Sequence, residues 1–250
     1  MWYNHYMSKI DLKSISGLPI TYQDEQLYFK DFTFKEKVSV TINDIRSQLL
    51  NQDLNCPEIF YDVYKWVDLN STFKSKNVRI NIYCLRANIA GIEYVKTKAM
   101  RCKKYPKILE ILYGSGTILM QIYKSPKDNR VFKSAVKRGQ KIIIPSGYDF
   151  SIINTRQNTP LIFAEYTSVN AISRIVLDDD SGMAYYVIRK NAKQEIVRNS
   201  NYKIVNEPEK IDPTKLSAKY GITPKTPITR QILRKYEKFD WLFKENSVTI

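Results

Sequence analysis

Cationic side chains are concentrated in one short stretch of this 250-residue sequence. Six of them fall within twelve residues, at Lys96, Lys98, Arg101, Lys103, Lys104 and Lys107. A basic loop of this kind can grip phosphates, because it releases the counterions condensed on a polyanion, and the interleaved Tyr94 and Tyr105 can stack on bases. An ordinary solvated loop would show the same pattern. We take Arg101, Lys103 and Lys104 as the candidate polyanion-binding residues.

The chain as a whole is strongly basic, with 40 Lys and Arg against 25 Asp and Glu and a net charge of +15. Basic domains of this size bind nucleic acid or sit in acidic surroundings, although lysines spread over a surface also serve solubility. A second basic band at residues 124–141 is typical of a solvated sheet edge, where lysines discourage pairing with another sheet. The sequence predicts no membrane span and no secretory signal.

Side chains that could act as nucleophiles or metal ligands are few. Cys56, Cys84 and Cys102 are far apart and odd in number, so they match neither a disulfide framework nor a zinc-binding spacing. Free cysteines favour a reducing compartment, and we expect a cytoplasmic protein. His5 is the single histidine of the sequence and lies near its start.

The elements that would position these residues are mostly short strands. Val78–Leu85 alternates as a half-buried strand should, and Gly, Pro and Asn turns separate further β-rich runs at Ile108–Leu112, Thr117–Tyr123, Lys141–Pro145, Phe150–Asn154 and Leu161–Tyr166. Even spacing of short strands favours a sandwich or jelly roll. We predict helices at Asn43–Asn51 and at Thr226–Lys244, the second with Thr226 as N-cap.

Two segments carry a resemblance to a known family. Residues 93–114 read E-Y-V-K-T-K-A-M-R-C-K-K-Y-P-K-I-L-E-I-L-Y-G, and residues 142–154 read I-I-I-P-S-G-Y-D-F-S-I-I-N. They resemble the cupin-type glucose-6-phosphate isomerase family, whose members read E-Y-V-K-T-x-G-H-x-H, then P-E-x-Y-x-x-L-x-G, then I-P-P-x-x-x-H-x-x-x-N. Segments such as Ser16–Ile20 and Asp44–Leu50 also fit.

The resemblance implies a mainly β fold. We expect a cupin double-stranded β-helix (jelly roll), with N-terminal strands and a short helix before it and a C-terminal helical extension after it. The expected divisions are residues 1–75 for the N-terminal strands and helix, 76–197 for the barrel, and 198–250 for an extended strap and the final helix.

The same resemblance places the metal ligands of the family on four residues that together do not suit a divalent Mn, Fe or Zn ion. The two histidines, the glutamate and the last histidine fall on Met100, Cys102, Lys107 and Phe150. Divalent Mn, Fe and Zn ions require imidazole and carboxylate donors, so we predict no metal and no other cofactor. A copper(I) site built on Met100 and Cys102 would lack a third soft ligand.

Lys107 admits two interpretations. Its ammonium could hold an anion inside the barrel in place of the metal, or its long stem could bend outward to solvent, which we favour. Thr97 and Tyr166 fall where the family carries a threonine near the substrate phosphate and a barrel tyrosine. Thr97, Lys107 and Tyr166 are therefore the candidate set for a sugar phosphate or another anion, and Tyr166 is the catalytic candidate if the protein is active.

Aldose–ketose isomerisation moves a proton between adjacent carbons, and it needs a base of near-neutral pKa or a metal that polarises the carbonyl. Since the aligned positions offer neither, we predict a non-catalytic descendant of the family that acts as a structural or binding subunit of a larger assembly. Its expected partners are proteins and RNA or another polyanion, and the family implies a homodimer. The alternatives are a metal-independent glucose-6-phosphate isomerase and a sugar-phosphate-binding protein.

Overall fold

The computed structural model describes residues 9–175 and 182–249. Within these residues the strands are β1 (Ile10–Asp11), β2 (Ile20–Gln23), β3 (Gln26–Phe29), β4 (Glu36–Thr41), β5 (Ile59–Lys65), β6 (Val78–Leu85), β7 (Ile89–Ala90), β8 (Glu93–Tyr94), β9 (Met100–Cys102), β10 (Lys107–Tyr113), β11 (Ser115–Ser125), β12 (Asp128–Lys137), β13 (Lys141–Ile144), β14 (Asp149–Ile153), β15 (Leu161–Ser168), β16 (Ser173–Ile175), β17 (Tyr185–Lys190), β18 (Lys193–Arg198) and β19 (Glu209–Lys210). The α-helices are α1 (Lys13–Ser16), α2 (Ile42–Ile45), α3 (Pro213–Lys219) and α4 (Ile228–Arg234). Three 3₁₀ segments lie at Arg46–Gln48, Lys74–Lys76 and Tyr236–Phe243.

Two six-stranded sheets form a jelly-roll barrel. The first sheet has the order β13-β10-β15-β6-β5-β4 and the second the order β16-β9-β14-β11-β12-β19. One apolar core lies between them, since residues of both sheets, such as Leu109, Phe163, Met120 and Phe150, belong to the same buried cluster. The predicted mainly β fold is confirmed, and β4 and β5 from the N-terminal region are part of the first barrel sheet.

The first sheet is buried on both faces, because a second core covers its outer side. Along β10, Leu109 and Ile111 point into the barrel, whereas Ile108 and Leu112 point to the outer core. The three-stranded sheet β1-β2-β3 and the C-terminal helical segments supply the other side of this outer core. A strand buried on both faces reads as a continuous apolar run, as I-L-E-I-L does here apart from one glutamate.

The predicted strands are confirmed. Val78–Leu85 coincides with β6, and the other five runs lie in β10, β11, β13, β14 and β15, with ends that differ by two residues or fewer. Alternation predicted β6, and β-rich runs between turn residues predicted the other five strands. In the described residues, no helix has the length and apolar character that crossing a membrane requires.

The predicted C-terminal helix is wrong as one continuous element. It divides at Lys235, whose backbone leaves the helical region at φ −143°, into α4 and the 3₁₀ segment Tyr236–Phe243. Phe239 and Leu242 are buried in the outer core and lie three residues apart. A 3₁₀ helix places residues i and i+3 on the same side, so this geometry lets both reach the core. The N-cap is Pro227, not the predicted Thr226.

The predicted helix Asn43–Asn51 is also shorter than expected. α2 begins with a capping box in which the backbone N and hydroxyl of Thr41 both donate to Asp44. After the 3₁₀ turn Arg46–Gln48 the chain reverses, because the Arg46 guanidinium binds the carbonyl oxygens of Gln52 and Leu54, each at 2.6 Å. These bonds hold the following loop against the helix and end it.

Candidate functional site

A buried ion pair lies at the position where the family resemblance places a metal-binding glutamate. Lys107 begins β10, and its Nζ donates to Oε2 of Glu165 on the neighbouring strand β15 at 2.6 Å. Both side chains are only 1% exposed. The strand register pairs Leu109 with Glu165, so Lys107 and Glu165 are diagonal neighbours on the same sheet face. The expectation that Lys107 bends outward to solvent is wrong, because Glu165 offers its ammonium a partner inside the barrel.

The pair is completed by an amide. Asn81 lies directly across from Glu165 in the register, and its Nδ2 donates to Oε1 of Glu165 at 2.9 Å. The Asn81 Oδ1 accepts in turn from the backbone N of Trp66 at 3.1 Å. Each carboxylate oxygen of Glu165 therefore has a donor, which is what a buried charge requires to be tolerated.

The other three aligned positions, Met100, Cys102 and Phe150, lie on strands of the second sheet. Phe150 on β14 lies opposite Met100 on β9, and the Lys107 Nζ lies 5.4 Å from the centre of the Phe150 ring. Burial raises the pKa of the Cys102 thiol to about 12, although the Lys107 charge acts in the opposite direction. Cys102 is therefore a protonated thiol, whereas metals bind the thiolate.

These donors do not fit a divalent metal of the Mn, Fe or Zn type. The four positions present a thioether, a neutral thiol, an ammonium and a phenyl ring, and the nearby Glu165 carboxylate is bound by Lys107 and Asn81. Among the described residues, no three His, Cys, Asp or Glu side chains are grouped so that they could hold a metal ion. His5 lies outside the residues that the structure describes.

Thr97 is buried and its hydroxyl is used within the protein. Its Oγ1 accepts from the backbone N of Ile152 at 3.1 Å and lies 3.4 Å from the Ser151 hydroxyl. The Ser151 hydroxyl also donates to the Thr97 carbonyl oxygen at 2.8 Å. Thr97 therefore attaches the segment before β9 to β14, and its side chain is 0% exposed.

Tyr166 does not lie with Lys107 and Thr97. Alternation along β15 sends Glu165 into the barrel and Tyr166 into the outer core. There the Tyr166 hydroxyl donates to Oε2 of Glu110 at 2.9 Å, and burial raises the pKa of Tyr166 well above its usual range. Glu110 also faces outward, as the alternation from Lys107 predicts. The structure thus removes Tyr166 from the predicted anion-binding set, because it lies on the opposite face of the sheet from Lys107.

Glu110 is the centre of a second buried polar cluster. Besides Tyr166, it accepts from the backbone N of Ile228 at 3.2 and 3.3 Å and pairs with the Lys141 Nζ at 3.2 Å. Burial raises the pKa of Glu110 to about 7, while Lys141 and the Tyr166 hydroxyl partly oppose this shift. The cluster fixes the start of α4 to the outer face of the first sheet and has a structural role.

Most of the charge in the basic loop is neutralised inside the chain. Arg101 grips Asp149 with two hydrogen bonds, at 2.6 and 2.9 Å, and Lys104 pairs with Glu245 at 3.1 Å. Lys96 and Lys98 also have acidic partners, Glu93 and Asp44 respectively. Lys103 is exposed. The local density of cations in the sequence therefore overstates the charge that the loop presents to a ligand.

The second basic band is mostly solvated, as predicted, and Lys141 is its buried exception. Lys141 is 3% exposed and donates to the carbonyl oxygens of Gly139 and Pro224 at 3.1 and 2.5 Å. β12 is also covered along part of its length by the parallel strand β19. Two of these contacts come from the C-terminal strap, which supplies the Pro224 carbonyl to Lys141 and the strand β19 to β12.

Glu165 and Asn81 are the site residues that the sequence interpretation missed. Glu165 is a lone charge in the run L-I-F-A-E-Y-T, and counting by two from Leu161 and Phe163 places it on the barrel-facing side. This alternation could have placed Glu165 inside the barrel from the sequence alone. It could not show that Lys107, 58 residues away, lies on the neighbouring strand.

A family model described as Glucose-6-phosphate isomerase (GPI) matches residues 33–205 of the chain. The matched segment contains β4 to β18 and all four aligned ligand positions. No curated protein sequence matches the chain.

Solved structures with a similar arrangement include a recombinant oxalate oxidase in complex with glycolate, at 13% identity and a TM-score of 0.38, with 47% of this chain and 55% of that chain covered. A vicilin from Corylus avellana (hazelnut) has 13% identity and a TM-score of 0.39, covering 51% of this chain and 35% of that chain. A salicylate 1,2-dioxygenase from Pseudaminobacter salicylatoxidans has 10% identity and a TM-score of 0.33, covering 46% and 30%. The match thus spans about half of the oxalate oxidase and less of the other two, and such distant likeness indicates nothing about function.

Proposed function

Because this chain belongs to the glucose-6-phosphate isomerase family in its cupin form, we propose that it is a non-catalytic member. It retains the barrel, has an internal ion pair in place of the metal site, and acts as a structural or binding subunit of a larger assembly. The observation that carries the proposal is the Lys107–Glu165 pair, buried at the aligned ligand position with both charges satisfied.

The pair opposes both chemical requirements of aldose–ketose isomerisation. An ammonium at the ligand position repels a divalent cation, so no Lewis acid is recruited to polarise a carbonyl. The Glu165 carboxylate is the nearest candidate base, but its two oxygens accept from Lys107 and Asn81 and its side chain is 1% exposed. A general base must lie within hydrogen-bond reach of the substrate proton, and a sugar phosphate cannot contact this carboxylate without opening the barrel.

The same burial argues against the alternative of a sugar-phosphate site on Lys107 and Thr97. A phosphate would have to displace Glu165 from Lys107 and leave that carboxylate buried without its cation, which costs several kcal/mol. The Thr97 hydroxyl is already bonded to β14. No contact in the described residues therefore favours a sugar phosphate over the internal carboxylate.

Participation in an assembly is supported by the charge of the chain. The net charge of +15 remains after the internal pairs are formed, because each such pair is neutral. A large excess of one sign keeps an isolated protein soluble but also attracts polyanions and acidic partners. We propose that the partners are proteins and RNA, with a homodimer as the family form.

Catalysis is tested by a coupled assay for interconversion of glucose 6-phosphate and fructose 6-phosphate, with and without added Mn²⁺, Fe²⁺, Ni²⁺ or Zn²⁺. We expect no turnover above a heat-denatured control under any of these conditions. Turnover that disappears in Lys107→Ala or Glu165→Gln would show that the pair is a rebuilt active site, and the proposal would be wrong.

Assembly is tested by sedimentation of the natively expressed, tagged chain in a gentle lysate, with and without ribonuclease. We expect sedimentation faster than that of a dimer of the 29.3 kDa chain, and a shift after ribonuclease treatment. Migration as a free monomer or dimer in both samples would contradict the proposed assembly.

A further inference from the structure

A groove on the outer face of the second barrel sheet is lined by unpaired positive charge. The groove has a volume of about 880 Å³, and its lining contains four cations and no carboxylate. The cations are Lys133, Lys137, Arg156 and Lys210. We propose that this groove binds a linear chain of phosphate groups, as in the backbone of a single-stranded nucleic acid.

The absence of internal partners distinguishes this groove from the basic loop. Within residues 9–175 and 182–249, none of the four cations has a carboxylate within 4.0 Å. In the basic loop, by contrast, Arg101 and Lys104 are paired with Asp149 and Glu245. The groove therefore presents four cations that no carboxylate of the described residues neutralises, whereas most of the charge of the loop is already paired.

Two of the cations face each other across neighbouring strands. Lys133 on β12 is the register partner of Lys210 on β19, and the backbone N of Ile211 donates to the Lys133 carbonyl oxygen at 3.1 Å. Like charges placed directly opposite each other in a sheet are destabilising. An anion bound between them would turn this repulsion into attraction.

Glu209, an acidic residue of the C-terminal strap, lies next to this pair but is bound to a different cation. Glu209 precedes Lys210 and binds Arg130 through two hydrogen bonds, at 3.0 and 2.9 Å. Since successive side chains of a strand point to opposite faces, Glu209 and Lys210 are directed apart. Of these two residues, only Lys210 therefore lines the groove.

The other two cations lie at the opposite end of the groove. Lys137 is the register partner of Ser115, and the Arg156 Nε donates to the Ser115 hydroxyl at 2.9 Å. The four residue steps from Lys133 to Lys137 span about 13 Å along the strand. One phosphate group cannot reach both ends, whereas a chain of phosphates can.

The remaining lining fits recognition of a backbone. The lining also contains hydroxyl and amide groups, among them Thr155 and Gln194, and groups of this kind contact phosphate oxygens. Gln194 is held in place by a hydrogen bond from its Nε2 to the Thr117 hydroxyl at 2.9 Å. The lining contains no aromatic side chain, and bases bind single-strand proteins largely by stacking on such rings. We therefore expect little preference among base sequences.

This inference rests on the proposed binding role and adds its ligand and its location. The test is fluorescence anisotropy with a labelled 12-nucleotide single strand over a range of salt concentrations. The groove variant is Lys133→Gln/Lys137→Gln/Lys210→Gln. The matched control is Lys127→Gln/Lys203→Gln/Lys225→Gln, which removes equal charge from three exposed lysines outside the groove.

We expect the groove variant to bind at least tenfold more weakly and its log–log salt slope to fall by about 2, since each neutralised phosphate contributes roughly 0.7 on single strands. The control should change the Kd by less than about threefold. Equal losses in the two variants, with unchanged unfolding midpoints, would overturn the groove as the site, and so would a wild-type chain that does not bind the strand.

Competition with inorganic polyphosphate of matched charge distinguishes the source of the phosphates. Stronger competition by an unlabelled strand identifies nucleic acid, stronger competition by polyphosphate identifies the inorganic chain, and both outcomes support a phosphate-binding groove. Failure of the groove is separable from failure of the proposed function, because the isomerase assay is independent of this binding measurement.

Discussion

The ammonium of Lys107 and a carboxylate oxygen of Glu165 lie 2.6 Å apart in the interior of the barrel. The residues are 58 positions apart in the chain and meet because β10 and β15 are neighbours in the first sheet. The family pattern has a glutamate where this chain has Lys107. The sign of the charge is thus reversed at that position. The Lys107 ammonium is compensated by the Glu165 carboxylate of the protein itself, whereas a glutamate there would be compensated by a metal cation.

The ion pair should behave as a unit in unfolding experiments. We expect Lys107→Met or Glu165→Gln alone to lower the free energy of unfolding by about 3–5 kcal/mol, because each leaves an uncompensated buried charge. The double variant Lys107→Met/Glu165→Gln should recover most of that loss, since no charge remains. Urea unfolding of the four proteins measures the coupling, and a double variant that loses the sum of the single losses would refute it.

A surface pair is the control for this cycle. Arg130 and Glu209 make a similar contact at 2.9 Å, but both side chains are about half exposed. Exposed pairs contribute about 0–1 kcal/mol, so Arg130→Gln and Glu209→Gln should each have small effects. Large effects in both pairs would indicate that the substitutions disturb the fold generally.

Thiol reactivity reports whether the barrel interior is closed. Burial raises the pKa of both Cys84 and Cys102 to about 12, and only the thiolate reacts with disulfide reagents. Cys56 is exposed. At pH 8 we expect one rapidly reacting thiol in the native chain, three after denaturation, and none rapid in Cys56→Ser. Rapid reaction of Cys102 in the folded protein would show an open barrel.

Glu110 predicts a pH dependence of stability. Burial raises its pKa from 4.5 to about 7 in the folded protein, so the folded state binds the proton more tightly than the unfolded chain does. Stability is therefore greatest below the unfolded value and is lost as the pH rises through this interval, by on the order of 3 kcal/mol in total.

The variant Glu110→Gln removes this titration and is the comparison for it. The free energy of unfolding of the wild-type chain should fall relative to that of Glu110→Gln between pH 5 and pH 7.5. A wild-type chain that gains stability relative to the variant over the same interval would show that Lys141 keeps Glu110 ionised.

The strands could be predicted from the sequence because their signal is local. Alternation defines β6 without reference to any other part of the chain, and the turn residues bound the strands after it. The C-terminal helix was harder to predict from the sequence. The change to a 3₁₀ segment at Tyr236 depends on where Phe239 and Leu242 pack in the outer core. That core is assembled from distant segments.

The charges required the tertiary structure. The sequence shows six cations between residues 96 and 107, but the partners of Arg101 and Lys104 lie 48 and 141 residues further along the chain. The partner of Lys107, Glu165, is also distant in the sequence. Without a visible partner, the long side chain of Lys107 was expected to reach solvent. Conversely, Lys133 and Lys210 are far apart in the sequence and adjacent in the sheet.

Metal content tests the central claim most directly. The wild-type chain would be dialysed against excess Mn²⁺, Fe²⁺, Ni²⁺ or Zn²⁺, freed of unbound ions and subjected to elemental analysis. A variant with the family's donors, Met100→His/Cys102→His/Lys107→Glu/Phe150→His with Glu165→Gln, would be treated alongside it once circular dichroism shows that it folds. If Lys107 and Glu165 replace the metal, the wild-type chain will hold far less than one ion per chain and the variant about one. A wild-type chain that holds about one ion per chain would contradict this account.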